Sequence, residues 1–161
     1  MKLFEAHVTN RQKTLKADAA RLRRTARHVL RDRGVTSARV SIVLLDDAAI
    51  APLKQQYYGL AEATDVLSFD LADEPDEPHE SDAPDLDLEI LLNAQRADRI
   101  AHERGHQPLA ELDLYLVHGL LHHLGFDDHD PADARKMHHH EDRLLTELGV
   151  GAVYQNRNPQ R

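Results

Sequence analysis

Apolar positions recur along this chain in two rhythms. Leu15, Ala19, Leu22, Ala26, Val29 and Leu30 repeat at helical spacing and make one apolar face. The opposite face carries Arg21, Arg23, Arg24, Arg27 and Arg31, so the pattern predicts a helix from Leu15 to a stop at Gly34. Residues 2–8, 38–45, 64–69 and 88–92 are short runs rich in apolar and β-branched residues and predict strands. A short helix is expected from a cap at Asp46 or Asp47 to Tyr57. Further helices are expected over 94–104, stopped by Gly105, and from Pro108 to Gly125. The second of these is apolar most of the way round, which is the pattern of a buried helix. A last amphipathic helix is expected over 131–148.

Between the third and fourth strands lies a different kind of segment. Residues 70–87 hold nine Asp or Glu, three Pro and no Lys or Arg. Such a stretch cannot bury apolar area and is expected to be an acidic loop. The order of elements points to a small sheet covered by helices, α+β or α/β. One domain over 1–150 with a C-terminal tail at 151–161 suits a length of 161 residues.

Composition narrows the function classes. There is no Cys, so disulfides, Cys-type zinc fingers, iron–sulfur clusters and Cys nucleophiles are excluded, and any metal must be held by His, Asp or Glu. No stretch approaches the roughly 18 apolar residues of a membrane span. The first residues are charged where a signal peptide needs an apolar core, so a cytoplasmic location is expected. The net charge of −8 hides an asymmetry: residues 1–40 carry eleven Lys/Arg against three Asp/Glu, and residues 41–161 carry nine against 25. That suits a basic face for an anionic partner on an acidic body, or two solvated faces.

The chemistry concentrates on the buried helix. His118 and His122 are four apart, on one face and one turn from each other, so both imidazoles can reach one ion. Roughly one such pair is expected by chance among 12 His, and spacing alone proves little. His102 and His106 form a second pair, but it straddles Gly105 at a helix end and reads as surface. The first pair lies in the most apolar helix, where buried imidazoles need partners: a metal, or backbone carbonyls. Asp128 and His129, just beyond the Gly125 stop, are both able to supply a third ligand. Three protein ligands with an open fourth position make the catalytic zinc arrangement. A zinc protease of the HExxH kind needs Glu directly after its first His; here that residue is Gly119. The triplet His138-His139-His140 reads as exposed and incidental.

The string His118-Gly-Leu-Leu-His122-His-Leu-Gly125-Phe-Asp127-Asp128 resembles the signature HGxLHLxGYDH of the YbeY family, bacterial endoribonucleases and ribosomal RNA maturation factors. Tyr57-Tyr58-Gly59 followed by Thr64-Asp65-Val66-Leu67-Ser68-Phe69 is similar to the family's YRG…PTxVLSFP segment. Leu88 to Leu92 takes the place of its GDIVI strand, and Met137 and Glu141 fall where its last helix has Met and Glu. The resemblance covers residues 35–149. It implies an α+β fold, a small mixed four-stranded sheet packed with about five helices, and a cleft with a metal site on the buried helix. It implies one zinc ion per chain and single-strand-specific, metal-dependent endoribonuclease activity. The setting would be 3′-end maturation of small-subunit ribosomal RNA and ribosome quality control. The partners would be single-stranded RNA and the ribosome or its small subunit with associated proteins.

Three positions depart from the pattern. Asp128 stands where the third zinc His is usual, with His129 one residue later. The ungapped register to Met137 and Glu141 favours Asp128, so the implied metal-binding and catalytic set is His118, His122 and Asp128. Tyr58 replaces an Arg suited to holding phosphate. Asp70 replaces a Pro. On this reading Asp127 or Asp65 would orient a ligating His, and Arg21, Arg24, Arg27 and Arg31 would track RNA phosphates. Three other readings compete: a ribosome assembly factor with a structural metal, a metal-dependent hydrolase of another substrate, and a histidine-rich metal buffer.

Overall fold

The computed structural model describes residues 3–59, 64–71 and 84–154. Four strands, β1 (Leu3–Asn10), β2 (Ser37–Leu45), β3 (Val66–Asp70) and β4 (Leu86–Asn93), form one sheet in the order β1-β2-β4-β3. β1, β2 and β4 run parallel, and β3 is an antiparallel edge against β4. Five helices accompany it: α1 (Ala19–Asp32), α2 (Asp47–Tyr58), α3 (Ala94–Arg104), α4 (Pro108–His123) and α5 (Pro131–Glu147). The α+β class, the mixed four-stranded sheet and the five helices agree with the sequence expectation. No helix among the described residues is long and apolar enough to cross a membrane.

Strand alternation sorts the core into two layers. Ala38, Val40, Ile42 and Leu44 of β2 join Leu88, Ile90 and Leu92 of β4 in one cluster with α1, α3, α4 and α5. Leu45, Leu67 and Leu91 turn to the other face, where Ile50 of α2 covers them. α4 lies in the middle of the larger layer, and eleven of its residues are buried. Gly119 lets it approach the sheet: a Cβ there would stand 3.0 Å from Val66 Cγ2 and 3.4 Å from Ile90 Cγ2. This close approach brings the C-terminal half of α4 against β3.

Some boundaries differ from the sequence expectation, each for a visible reason. α1 begins at Ala19, not Leu15, because the Asp18 side chain caps it by accepting from Arg21 N–H. The chain before it is held as a turn by buried Gln12, which donates to Asn10 Oδ1 and Leu15 O and accepts from Leu15 N–H. Leu15 packs on the core from this turn, which is why it fits the helical rhythm without being helical. The acidic segment is shorter than 70–87: Asp70 ends β3 and Leu86 and Asp87 open β4, while residues 72–83 lie outside the described residues. At the other end, residues 151–154 pack onto the body. Val153 is buried, and the Tyr154 N–H donates to Asp142 Oδ1 at 2.9 Å.

Candidate functional site

The last two turns of α4 carry His118 and His122 on the side facing β3. Their Nε2 atoms stand 3.1 Å apart. Beyond Leu124 the chain turns at Gly125, whose φ of +96° is open to glycine at no steric cost. Asp127 then folds back on its own backbone, accepting from the N–H groups of Asp128 and His129 at 2.7 and 3.3 Å. This Asx turn delivers Asp128 to the histidines: its Oδ2 is 3.8 Å from His118 Nε2 and its Oδ1 4.0 Å from His122 Nε2. His129 points elsewhere, with 88% of its side chain exposed and its ring against Asp127.

The three residues suit a metal ion. Zinc takes N and O ligands at about 2.0–2.2 Å, so ligand atoms on a tetrahedral ion lie roughly 3.3 Å apart. The donor atoms of His118, His122 and Asp128 already lie within 4.8 Å of one another. Their separations bracket that value, so closing on an ion needs shifts of tenths of an ångström. Three such ligands leave a coordination position for water or substrate, as catalytic sites do.

Behind His118 stands a carboxylate that sequence reasoning matched but gave no role. Glu141 of α5 is 1% exposed and accepts from His118 Nδ1 at 3.2 Å and from His138 Nδ1 at 2.6 Å. A carboxylate only accepts, so it fixes the proton on Nδ1 and leaves the Nε2 lone pair of His118 facing His122 and Asp128. Asp65 and Asp127, the residues expected in this role, are used otherwise. Asp65 Oδ1 accepts from Val66 N–H at 2.8 Å, and Asp127 makes its Asx turn. Burial works against charge on His118, but the Glu141 hydrogen bond and the nearby carboxylates Glu141, Asp65 and Asp128 outweigh it and raise the imidazole. Burial and the neighbouring His118 lower His122, with Asp128 opposing. For Glu141, burial is overcome by the two imidazole hydrogen bonds, and its carboxyl lies below the usual range.

The other histidines also differ from expectation. His138 is not incidental: besides Glu141 it stacks on the Tyr154 ring at 3.5 Å and 8°. His140 packs on Phe126, and only His139 of the triplet is exposed. His106 is not a surface residue either; its Nε2 is 2.7 Å from Oε2 of fully buried Glu111. On α1, Arg21 is not free to track phosphates, because its Nε donates to Asp113 Oδ2 at 2.7 Å and so satisfies a fully buried carboxylate. Arg24, Arg27 and Arg31 remain exposed.

His118 and His122 open into a cleft of about 450 Å³ between α4, β3 and α2. Its walls include Lys54 and Tyr58 of α2, residues 64–68 leading into β3, and His123. His123 Nε2 lies 2.9 Å from Ser68 Oγ. An open groove beside a set of N and O donors suits an extended polar substrate better than a small apolar one. Lys54 escaped the sequence reading, although its place one turn before Tyr58 was a legible signal.

Known proteins share both the sequence and the fold. The chain matches the model of the family described as Endoribonuclease YbeY over residues 7–149. An Endoribonuclease YbeY of Anaeromyxobacter sp. (strain Fw109-5) is 40% identical over 144 residues, 89% of this chain and 72% of the relative. Another, from Desulfitobacterium hafniense (strain Y51), is 41% identical over 115 residues, 70% of this chain and 73% of the relative. The solution structure of TM1509 from Thermotoga maritima superposes with a TM-score of 0.55 at 18% identity, covering 99% of each chain, and supports the fold alone. By sequence over nearly its whole length, the chain belongs to the YbeY endoribonuclease family.

Proposed function

We propose that the protein is a single-strand-specific, metal-dependent endoribonuclease acting in the 3′-end maturation of small-subunit ribosomal RNA and in ribosome quality control. The observation that carries this is the convergence of His118, His122 and Asp128 beside an open cleft, in a chain of this family. His118, His122 and Asp128 would hold one zinc ion per chain. When bound, the ion supplies a Lewis acid for the phosphodiester and lowers the pKa of an attacking water. The chain's own part is positional. Glu141 keeps His118 in the tautomer that presents Nε2, the Asp127 turn sets Asp128, and the close approach at Gly119 holds both histidines against β3.

Single-stranded RNA suits the cleft because its backbone can bend and its bases can splay. Arg24, Arg27 and Arg31, exposed on α1, offer a separate basic stripe for the ribosome or its small subunit. In this reading the protein works in the cytoplasm, with no membrane partner.

The test is cleavage of a single-stranded, 3′-extended small-subunit ribosomal RNA fragment by zinc-loaded protein, with a folded His122→Ala control. Cleavage by the wild type alone supports the reading. Equal cleavage by both overturns the proposed site. No cleavage by either, with metal confirmed bound, leaves the assembly factor with a structural metal as the better account.

A further inference from the structure

A polyanionic substrate entering the cleft meets three imidazoles, a carboxylate and a single cationic side chain among the described lining residues. Asp65, His118, His122 and His123 line it, and Asp128 stands within 4.0 Å of His118 and His122. Among the described residues lining the cleft, Lys54 is the one Lys or Arg. It is half-buried, and its ammonium has no ion-pair or hydrogen-bond partner among the described residues. A half-buried lysine whose charge is left unpaired beside such a site is placed for an anionic ligand.

Tyr58 stands one helical turn further along α2, at i+4, where side chains are neighbours. It is 52% exposed and lines the same cleft. Its ring is not spent on the core: the aromatic neighbour is Phe69 at 6.5 Å, itself only partly buried, and its hydroxyl reaches Ser68 O at the long distance of 3.5 Å. Tyr58 stands where the resembling family pattern has Arg, so no charge enters the cleft from that position. The cation comes instead from the preceding turn, and an aromatic face has been added beside it.

From this pairing we propose that Lys54 and Tyr58 form a nucleotide subsite of the cleft, Lys54 holding a phosphate of single-stranded RNA and Tyr58 stacking on the adjoining base. This deepens the endoribonuclease reading and rests on it for the identity of the ligand. Stacking on one aromatic ring tolerates every base, so the subsite adds affinity and register without sequence specificity. A phosphate held there fixes where the backbone crosses His118 and His122, and hence which phosphodiester is presented.

The experiment has a binding arm and a cleavage arm. Fluorescence anisotropy follows a roughly ten-nucleotide labelled single-stranded RNA in chelator-containing buffer over a salt series. Cleavage of the same RNA is measured on zinc-loaded protein. Lys54→Ala is expected to weaken binding and to flatten the slope of log affinity against log salt by about 0.7, one single-strand phosphate contact, with Lys54→Arg restoring both. Tyr58→Ala is expected to weaken binding about fivefold to a hundredfold, with Tyr58→Phe close to wild type. One abasic position in the RNA should weaken the wild type and leave Tyr58→Ala unchanged. In cleavage, Lys54→Ala should raise KM more than it lowers kcat. Wild-type affinity and salt slope in Lys54→Ala, or abasic sensitivity persisting in Tyr58→Ala, overturns the subsite. Binding that follows these expectations, in a protein that cleaves no RNA, upholds the subsite and overturns the nuclease reading instead.

Discussion

Replacing Glu141 by Gln tests the organisation of the proposed metal centre most directly. The change conserves volume in a place where the side chain is 1% exposed. Both carboxylate oxygens are in use, one by His118 Nδ1 and one by His138 Nδ1. Glutamine offers one accepting oxygen and an amide group that only donates. Whichever way the amide turns, one histidine must move its proton to Nε2 or face donor against donor. If that histidine is His118, the lone pair needed for a metal is lost. Hydrogen bonds to a charged acceptor contribute about 1.5–3 kcal/mol and neutral ones about 0.5–1.5, so two weakened bonds cost about 2 kcal/mol, partly offset because no carboxylate is buried. A net loss of about 1–2 kcal/mol is expected, and metal affinity should fall about 10–100-fold, the usual effect of losing such a partner.

The pH dependence gives this prediction a sign. In metal-free protein Glu141 is held below its ordinary pKa, so its contribution is present above the unfolded value and lost as pH falls through the folded one. His118 is raised, so its contribution is full below the unfolded value of about 6.5 and lost as pH rises through the folded one. The stability gap between wild type and Glu141→Gln should therefore be widest between about pH 5 and 6.5 and narrow towards alkaline pH. Urea unfolding with chelator present, repeated across pH, measures the gap; zinc titration measures affinity. A gap independent of pH, together with wild-type zinc affinity, would refute the idea that Glu141 orients His118.

Three further substitutions address separate parts of the argument. Asp128→Ala should abolish tight zinc binding while His129→Ala keeps about one zinc per chain by metal analysis; the reverse outcome would assign the third ligand to His129. Gly119→Ala gains about 1 kcal/mol in helix propensity but forces a Cβ to 3.0 Å from Val66 Cγ2, at an overpacking cost of about 1–3 kcal/mol. Thermal unfolding should show net destabilisation, and a more stable variant would mean that β3 yields easily. Charge reversal at Arg24 and Arg27 should weaken binding of ribosomal RNA and flatten its salt dependence, whereas unchanged affinity would leave that face as solvated surface.

The sequence reported α5 well because its rhythm is set by one burial surface, and α4 because it is apolar most of the way round and buried on nearly all sides. Periodicity misplaced the start of α1 because burial and helicity are different things. Leu15 is apolar on account of the core it touches from a turn, and the turn is made by Gln12, a polar side chain whose bonds leave no pattern. The same limit applies to the histidines. His118 and His122 were legible because four-residue spacing on an apolar helix is a signal in itself. His106 was not, because its partner Glu111 becomes buried only when α4 docks. His138 was half legible: Glu141 lies three residues on, on the same helix face. Its orienting of His118 depends on α5 crossing α4, which no local pattern encodes.

The site divides into a fixed half and an adjustable half. His118 is anchored by a buried carboxylate and by the helix that carries Gly119 into the sheet. Asp128 sits on the turn between α4 and α5, its side chain 38% exposed and held chiefly through the Asx turn of Asp127. A metal bound between the halves would therefore tie the α4–α5 turn to the core, and ligand-linked stabilisation should appear mainly as protection of residues 124–130. Charge reinforces the point. Asp128 where the family pattern has a neutral imidazole, and Tyr58 where it has an arginine, both make the site less positive. In the proposed site the ion and Lys54 would then be its two positive elements among the described residues. Substrate affinity should accordingly depend steeply on metal occupancy, because stripping zinc would remove one of the two positive elements facing an RNA phosphate.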